Sequence, residues 1–299
     1  MSNSPLGGRP TKTQSYVIVV VAALLVSALL APVAYQRASQ PDGAVAVVTI
    51  DGYISSSSVD GVAEDLREVR ENESVKAVVL KVDSPGGSAA ASERLYMEVK
   101  RTANVMPVVA SVQSTGASGA YYAMLPARTI HVTPASIVGS VGVRGSAPGP
   151  SPSGEIRSGP DKASMTEDQA RRQIETLQRA FVGTVMAERG DRIELSRQQV
   201  AHAKVYTGAR AVDNGMADRI GTLSDATAEA ADAAGLDDYE VYRKEPAGGL
   251  GILLLSADGG DATVVVEEGV GYDAVDTRQY LMVYGDVQYE NEVIGNVSA

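Results

Sequence analysis

Ser114-Thr115-Gly116-Ala117-Ser118-Gly119-Ala120-Tyr121-Tyr122 is the stretch from which the fold can be read. The apolar run Val105-Met106-Pro107-Val108-Val109-Ala110-Ser111-Val112 precedes it and predicts a buried strand, and the small and aromatic residues after Ser118 predict a helix. Ser118 therefore stands where a strand hands over to a helix. The first N–H groups of a helix lack intrahelical partners and its start is locally positive, so an oxyanion formed beside a serine oxygen can be held there. The same position also suits a serine that merely caps the helix. Gly119 and Ala120 leave room for another chain to approach.

Upstream, Val75–Val82 is almost continuously apolar, as expected of a strand covered on both faces of an α/β sheet. It runs directly into Asp83-Ser84-Pro85-Gly86-Gly87-Ser88, where Pro85 and Gly86 fit the central positions of a type II turn and a helix is predicted from about Ser88 to Thr102, with Leu95 and Val99 inward. Sites in parallel α/β sheets gather at the carboxyl ends of strands, and both glycine-rich turns lie at such ends. Further upstream, Ala44–Ile50 predicts a first strand, Ser55–Ser58 a loop, and Val59, Val62, Leu66 and Val69 the inner face of an amphipathic helix over 59–71.

Downstream, Arg128–Thr133 predicts a strand, and a turn leads to Ile137-Val138-Gly139-Ser140-Val141-Gly142-Val143. Twelve of the sixteen residues from 145 to 160 are Gly, Pro or Ser, the signature of an extended or flexible excursion. Ser158-Gly159-Pro160-Asp161-Lys162 leaves it, and Thr166-Glu167-Asp168-Gln169 is a capping box for a helix reaching about Arg189, with Ile174, Leu177, Phe181 and Val185 on one face. Helices are expected over Arg192–Lys204, Ala209–Gly215 and Leu223–Ala234. Beyond Pro246 three strands, Ile252–Leu255, Ala262–Val266 and Tyr280–Tyr284, read as a small β appendage.

Composition narrows the function classes. The 299 residues carry a net charge of −11 with no basic stripe, which argues against nucleic acid as a partner. The absence of cysteine excludes disulfides, thiol catalysis and thiolate metal sites, and two histidines cannot build a three-histidine zinc site. Tyr16–Tyr35 is twenty residues without a charge, long enough to span a bilayer, which favours an uncleaved anchor over a cleaved signal ending in the small residues of Ala28–Ala34, and Arg9 and Lys12 before it put the N-terminus inside. The expected organisation is a cytoplasmic segment 1–15, a transmembrane anchor 16–35, a linker 36–43, an α/β domain 44–244 outside the cytoplasm, and a β-rich extension 245–299.

Taken in order, these pieces resemble signal peptide peptidase A in its short, membrane-anchored form, a family of serine/lysine peptidases with the Clp/crotonase fold of repeated β-β-α units. The resemblance covers residues 45 to 235 and rests on Val75–Leu80 running into Asp83-Ser84-Pro85-Gly86-Gly87, on Ala117–Tyr122, on Gly139–Val143, on Ser158–Lys162, and on Tyr206-Thr207-Gly208 through Ala217-Asp218-Arg219-Ile220-Gly221. It implies Ser118 as nucleophile, Lys162 as general base, and Ser140 bonding the lysine head group. It also implies an oxyanion hole from the N–H groups of Gly119 and of Gly86 or Gly87, with Ser88, Gly142 and Val143 along a groove where substrate adds as an extended strand. A lysine base must be the neutral amine, which requires a pKa lowered by burial.

The implied protein is an endopeptidase that cleaves signal-peptide remnants or membrane-protein segments outside the cytoplasm. It needs no cofactor or metal, and it forms a homo-oligomer with composite sites. Trimming of a stomatin-like membrane partner and a catalytically silent scaffold are the other functions considered. A competing mechanism pairs Ser118 with His131, thirteen residues on, although His131 stands one residue out of step for Clp-type peptidases and one residue reverses the face of a strand. Gly116-Ala117-Ser118-Gly119-Ala120 lacks the second glycine of a G-x-S-x-G elbow, which argues against an α/β-hydrolase.

Overall fold

A computed structural model describes residues 41–145, 158–159, 165–244 and 281–284, together with residues 16, 20, 21, 24, 26 and 27. Two units divide at Asp42/Gly43. In the first, residues 16, 20, 21, 24, 26 and 27 are helical, and Tyr16, Val20, Val21, Leu24 and Val26 expose their apolar side chains. Among the described residues no helix is long and apolar enough to cross a membrane; most of Tyr16–Tyr35 lies outside them.

The second unit is a mixed α/β sheet. Its strands are β1 (Gly43–Ile54), β2 (Val75–Ser88), β3 (Val108–Ala117), β4 (Thr129–Val132), β5 (Ile137–Gly139), β6 (Val205–Thr207), β7 (Arg219–Ile220), β8 (Tyr239–Lys244) and β9 (Leu281–Val283). The helices are α1 (Ser56–Glu71), α2 (Ala89–Ala103), α3 (Gly119–Met124), α4 (Glu167–Arg189), α5 (Arg197–Ala201), α6 (Gly208–Asp213) and α7 (Leu223–Ala233). The sheet runs β6-β5-β3-β2-β1-β8, with β4 also on β3, β7 on β4 and β9 on β2. The pairs β1–β2, β2–β3 and β3–β4 are parallel, which is what helices between successive strands require.

Alternation along β1, β2 and β3 sends two sets of apolar side chains to opposite faces. Val48, Ile50, Leu80, Val82, Ala110 and Val112 share one core with Val59, Val62, Leu66 and Val69 of α1, Leu95 and Val99 of α2, and Phe181 and Val185 of α4. Val45, Val47, Ala77, Val79 and Val109 meet Ala226, Ala230 and Ala231 of α7 on the other face. The double coverage accounts for the unbroken apolar run at Val75–Val82. Ile174 and Leu177, expected inward, are only half-buried, because the first half of α4 extends beyond the core that Phe181 enters.

Four local expectations change. Ser55–Ser58 is not a loop: Ser55 caps α1 and trades hydrogen bonds with Ser58 in a capping box, so polar residues open this helix. The helix expected over Arg192–Lys204 shrinks to α5, because Ser196 caps it and pairs with Gln199. The strand expected to end at Val82 continues to Ser88, since Tyr53 and Ile54 of β1 stay paired with Gly86 and Gly87. Leu281–Val283, read with the appendage, joins the main sheet against β2, while Ile252–Leu255 and Ala262–Val266 lie outside the described residues.

Candidate active site

Strand β3 carries the site to its edge. Its first half pairs with β4 at Val109–Val112 and its second with β5 at Thr115–Ala117, so it leaves the sheet at Ala117 flanked by two turns. On one side Ser84 of β2 pairs with Gly116; on the other Gly139 of β5 pairs with Ala117. The turn of Gly86 and the turn of Ser140 are thus drawn to either side of Ser118.

Ser118 itself has φ 54° and ψ −118°, outside the regions that residues with a Cβ ordinarily occupy. It is 1 % exposed, makes no capping bond to α3, and its Oγ has no hydrogen-bond partner among the described residues. A serine placed as a helix cap would accept a hydrogen bond from one of the first N–H groups through its Oγ, and Ser118 does not, so capping does not explain this residue. Buried hydroxyls nearly always find a partner, and an orphaned one in a strained backbone marks a position kept for something other than stability. The Ser118 N–H donates to the Gly139 carbonyl at 2.7 Å.

Ser140 follows Gly139 with a positive φ of its own, 55°, and its N–H donates to the Lys204 carbonyl at 2.9 Å. Gly142 returns an N–H to the Ser140 carbonyl at 2.8 Å, and a Cβ on Gly142 would lie 2.7 Å from that of Ala203, so the backbone here is pressed against the turn after α5. Val143 is partly buried against the main core. Lys162 lies outside the described residues, as do residues 146–157.

The glycines crowd together. Gly86 has φ 97°, and a side chain on it would run into the Met282 carbonyl oxygen and come within 2.6 Å of the Gly119 nitrogen. A side chain on Gly119 would run into Ser92 Oγ and sit 2.9 Å from the same Met282 oxygen. Gly87 is closed in by the backbone of Ile54. Gly86 and Gly87 need glycine because main chain approaches main chain there, and Gly119 because Ser92 Oγ and the Met282 carbonyl leave a side chain no room. Ser84, buried, fixes the turn: its Oγ donates to the Gly52 carbonyl at 2.6 Å and accepts from the Gly86 N–H at 3.1 Å. Ser92 Oγ donates to the carbonyl of Ser88, which caps α2 without a side-chain bond and pairs with Leu281. Ser84, Ser92 and Met282 were not singled out from the sequence; Ser84 lies inside the quoted turn, whereas nothing local to Met282 links it to Gly86.

His131 is elsewhere. The β3–β4 register sets it opposite Ser111, seven residues before Ser118, roughly 23 Å away at ~3.3 Å per strand residue. Its Nε2 meets Glu229 Oε2 at 2.7 Å, and Thr129 Oγ1 donates to Glu229 Oε1 at 2.6 Å. Burial pushes the Glu229 carboxyl up, but the hydrogen bonds from Thr129 and His131 and the nearby Arg219 outweigh it and hold the carboxyl below its usual value. The Ser118/His131 pairing is therefore overturned by distance and by the partner His131 already has. Among the described residues no cluster of metal-ligating side chains occurs.

Peptidase family S49 matches residues 100–149 and 160–237, taking in the positions of Ser118, Ser140 and Lys162 and omitting part of the Gly/Pro/Ser tract. Protease 4 of Salmonella typhi is 32% identical over 230 residues, 68% of this chain and 37% of that protein. The protease-named slr0021 protein of Synechocystis sp. is 32% identical over 215 residues, 66% of this chain and 76% of that protein. Serine protease SPPA, chloroplastic, of Arabidopsis thaliana is 29% identical over 202 residues, 58% of this chain and 28% of that protein. The chain thus spans well under half of two of these relatives. A solved structure, the 1510-N membrane-bound stomatin-specific protease in a mutant form, superposes with a TM-score of 0.50 at 17% identity, over 69% of this chain and all of that one, a likeness of fold. The chain belongs to peptidase family S49, and the relatives it matches include proteins named Protease 4 and Serine protease SPPA.

Proposed function

We propose that the chain is a membrane-anchored endopeptidase of the Clp/crotonase type in which Ser118 attacks the peptide carbonyl and Lys162 takes its proton. The single observation that carries this is the orphaned Ser118 Oγ in a strained turn between the Gly86 and Ser140 turns. The Gly119 N–H, with that of Gly87, faces the charge that develops on the carbonyl oxygen, where preorganised donors are most effective; the Gly86 N–H, the other donor expected there, is already given to Ser84 Oγ. Lys162, as the neutral amine, removes the Ser118 proton and later hands it to the departing amine, with Ser140 holding the lysine head group. Water then attacks the ester and releases the second product. Ser88 and the Gly142–Val143 segment line an extended peptide, and Tyr16–Tyr35 holds the enzyme in the membrane with this unit outside the cytoplasm, in a homo-oligomer.

Hydrolysis of an internally quenched apolar peptide by the purified full chain tests the reading. Ser118→Ala and Lys162→Ala are each expected to remove turnover to background while leaving the thermal melt intact. Turnover that survives in Ser118→Ala overturns the assignment, and a wild-type chain that never turns over favours the silent scaffold.

A further inference from the structure

The ladder of β2 is interrupted on both sides at one level, just before the glycine turn. Against β3 the register shifts between Val82 and Ser84, and against β1 it shifts between Asp51 and Tyr53. Such irregularities leave main-chain groups without ladder partners, and here two adjacent side chains of β2 supply them. Asp83 Oδ1 accepts the Thr115 N–H of β3 at 2.9 Å, and Ser84 Oγ reaches the other way, to β1.

Ser84 is fully buried, and its hydroxyl is committed in both of its roles. A hydroxyl has one proton to give and lone pairs with which to accept. The proton goes to the Gly52 carbonyl at 2.6 Å, and the Gly86 N–H comes in to the same oxygen at 3.1 Å. Gly52 stands at the exposed bulge of β1 with φ 63°, and its own N–H donates to Asp51 Oδ1 at 3.0 Å. Hydrogen bonds thus connect Asp51 at the surface, by way of Gly52 and Ser84, to Gly86.

An oxyanion is stabilised by donors aimed at it, and direction counts because a hydrogen bond weakens steeply away from linear. With the Gly86 N–H held by Ser84, the next peptide unit has to supply the donor, and Gly86 can turn that unit because glycine reaches φ 97° without strain. We propose that Ser84 is a positioning residue for the oxyanion hole: its hydroxyl, fixed by the Gly52 carbonyl, takes up the Gly86 N–H and so sets the Gly87 N–H toward the oxygen of the carbonyl under attack. The proposal rests on Ser118 being the nucleophile. Ser84 acts through the turn and touches no substrate, so its effect belongs to the transition state, where the oxygen carries charge, and not to the bound ground state.

The full chain in detergent, with the variants Ser84→Ala and Ser84→Cys, tests this through an internally quenched peptide and a peptide aldehyde that adds reversibly to Ser118 and leaves its oxygen in the hole. Ser84→Ala is expected to lower kcat by about 10–100-fold with KM within about twofold of wild type, and to weaken aldehyde inhibition and slow fluorophosphonate labelling in step with kcat. In the Ser118→Ala background a dye-labelled peptide is expected to bind equally well with and without Ser84→Ala. Ser84→Cys keeps the shape but offers a thiol, a weak donor and acceptor, and is expected to fall between wild type and Ser84→Ala; it carries the test should Ser84→Ala not fold. Unchanged kcat and aldehyde inhibition in a folded variant overturns the role of Ser84 and leaves the nucleophile standing, as does a loss confined to KM and peptide binding. A wild-type chain that neither turns over nor takes up the aldehyde overturns the nucleophile, and the role of Ser84 with it.

Discussion

The Ser118 N–H donates to the Gly139 carbonyl at 2.7 Å, and that one bond ties the strained serine turn to the turn that carries Ser140. Both serines hold positive φ, 54° and 55°, on neighbouring strand ends. The site is therefore built from backbone that the sheet holds on two sides, with β2 supplying the third element through Gly86.

Relief of that strain gives a stability prediction. Glycine adopts positive φ freely, so Ser118→Gly is expected to melt higher than Ser118→Ala, a difference of about 1 kcal/mol. Both are inactive on this account. Differential scanning calorimetry of the two variants reads the difference, and equal melting would show that the Ser118 backbone is not under strain.

The buried Arg189 anchors the far end of α4. Its guanidinium donates to Asp218 at 3.0 and 3.1 Å and to the Gly215 carbonyl, while Asp218 also accepts the Ile130 N–H at 2.8 Å. Arg189→Met leaves the Asp218 charge half-buried without its main partner, and a loss of about 3–5 kcal/mol is expected in urea unfolding. Wild-type stability after this substitution would show that Arg192, 3.3 Å from Asp218, suffices.

Acid sensitivity follows from the same carboxyl. Burial pushes Asp218 up, but Arg189, the Ile130 N–H and Arg192 hold it below its ordinary value. A depressed native pKa contributes stability that is complete above the ordinary carboxylate value and is lost as pH falls through the native one. Unfolding free energy is expected to drop on acidification below about pH 4, and Asp218→Asn is expected to flatten that drop while lowering stability at neutral pH. A variant as acid-sensitive as wild type would place the titration elsewhere.

Much of this architecture was legible along the chain. Val59, Val62, Leu66 and Val69 announced the inner face of α1, Thr166 and Gln169 the start of α4, and the unbroken run at Val75–Val82 a strand covered twice. Periodicity and capping are local, and so they survive in one dimension. The strand that fills the edge beside Gly86 was not legible, because Leu281 pairs with Ser88 across nearly two hundred intervening residues and no local signal marks a long-range register. Ser55–Ser58 misled for the opposite reason: a run of serines suggests a loop until one of them proves to be a cap. His131 drew attention as a titratable group in the right neighbourhood of sequence, and only the pairing of Ser111 with His131 shows how far from Ser118 that neighbourhood lies.

The Glu229 pair with His131 is a structural device on this reading. Glu229→Gln is expected to cost about 1–2 kcal/mol of stability by weakening its hydrogen bonds to Thr129 and His131, with the labelling rate of Ser118 per folded molecule unchanged. A selective loss of labelling in a fully folded Glu229→Gln chain would return His131 to the mechanism.

The most direct test of the central claim is fluorophosphonate labelling of the full chain followed by peptide mass mapping. The account predicts that the probe attaches at Ser118, that Ser118→Ala abolishes attachment, and that Lys162→Ala removes most of it while His131→Ala does not. Attachment at another serine, or labelling that persists in Lys162→Ala and disappears in His131→Ala, would contradict it.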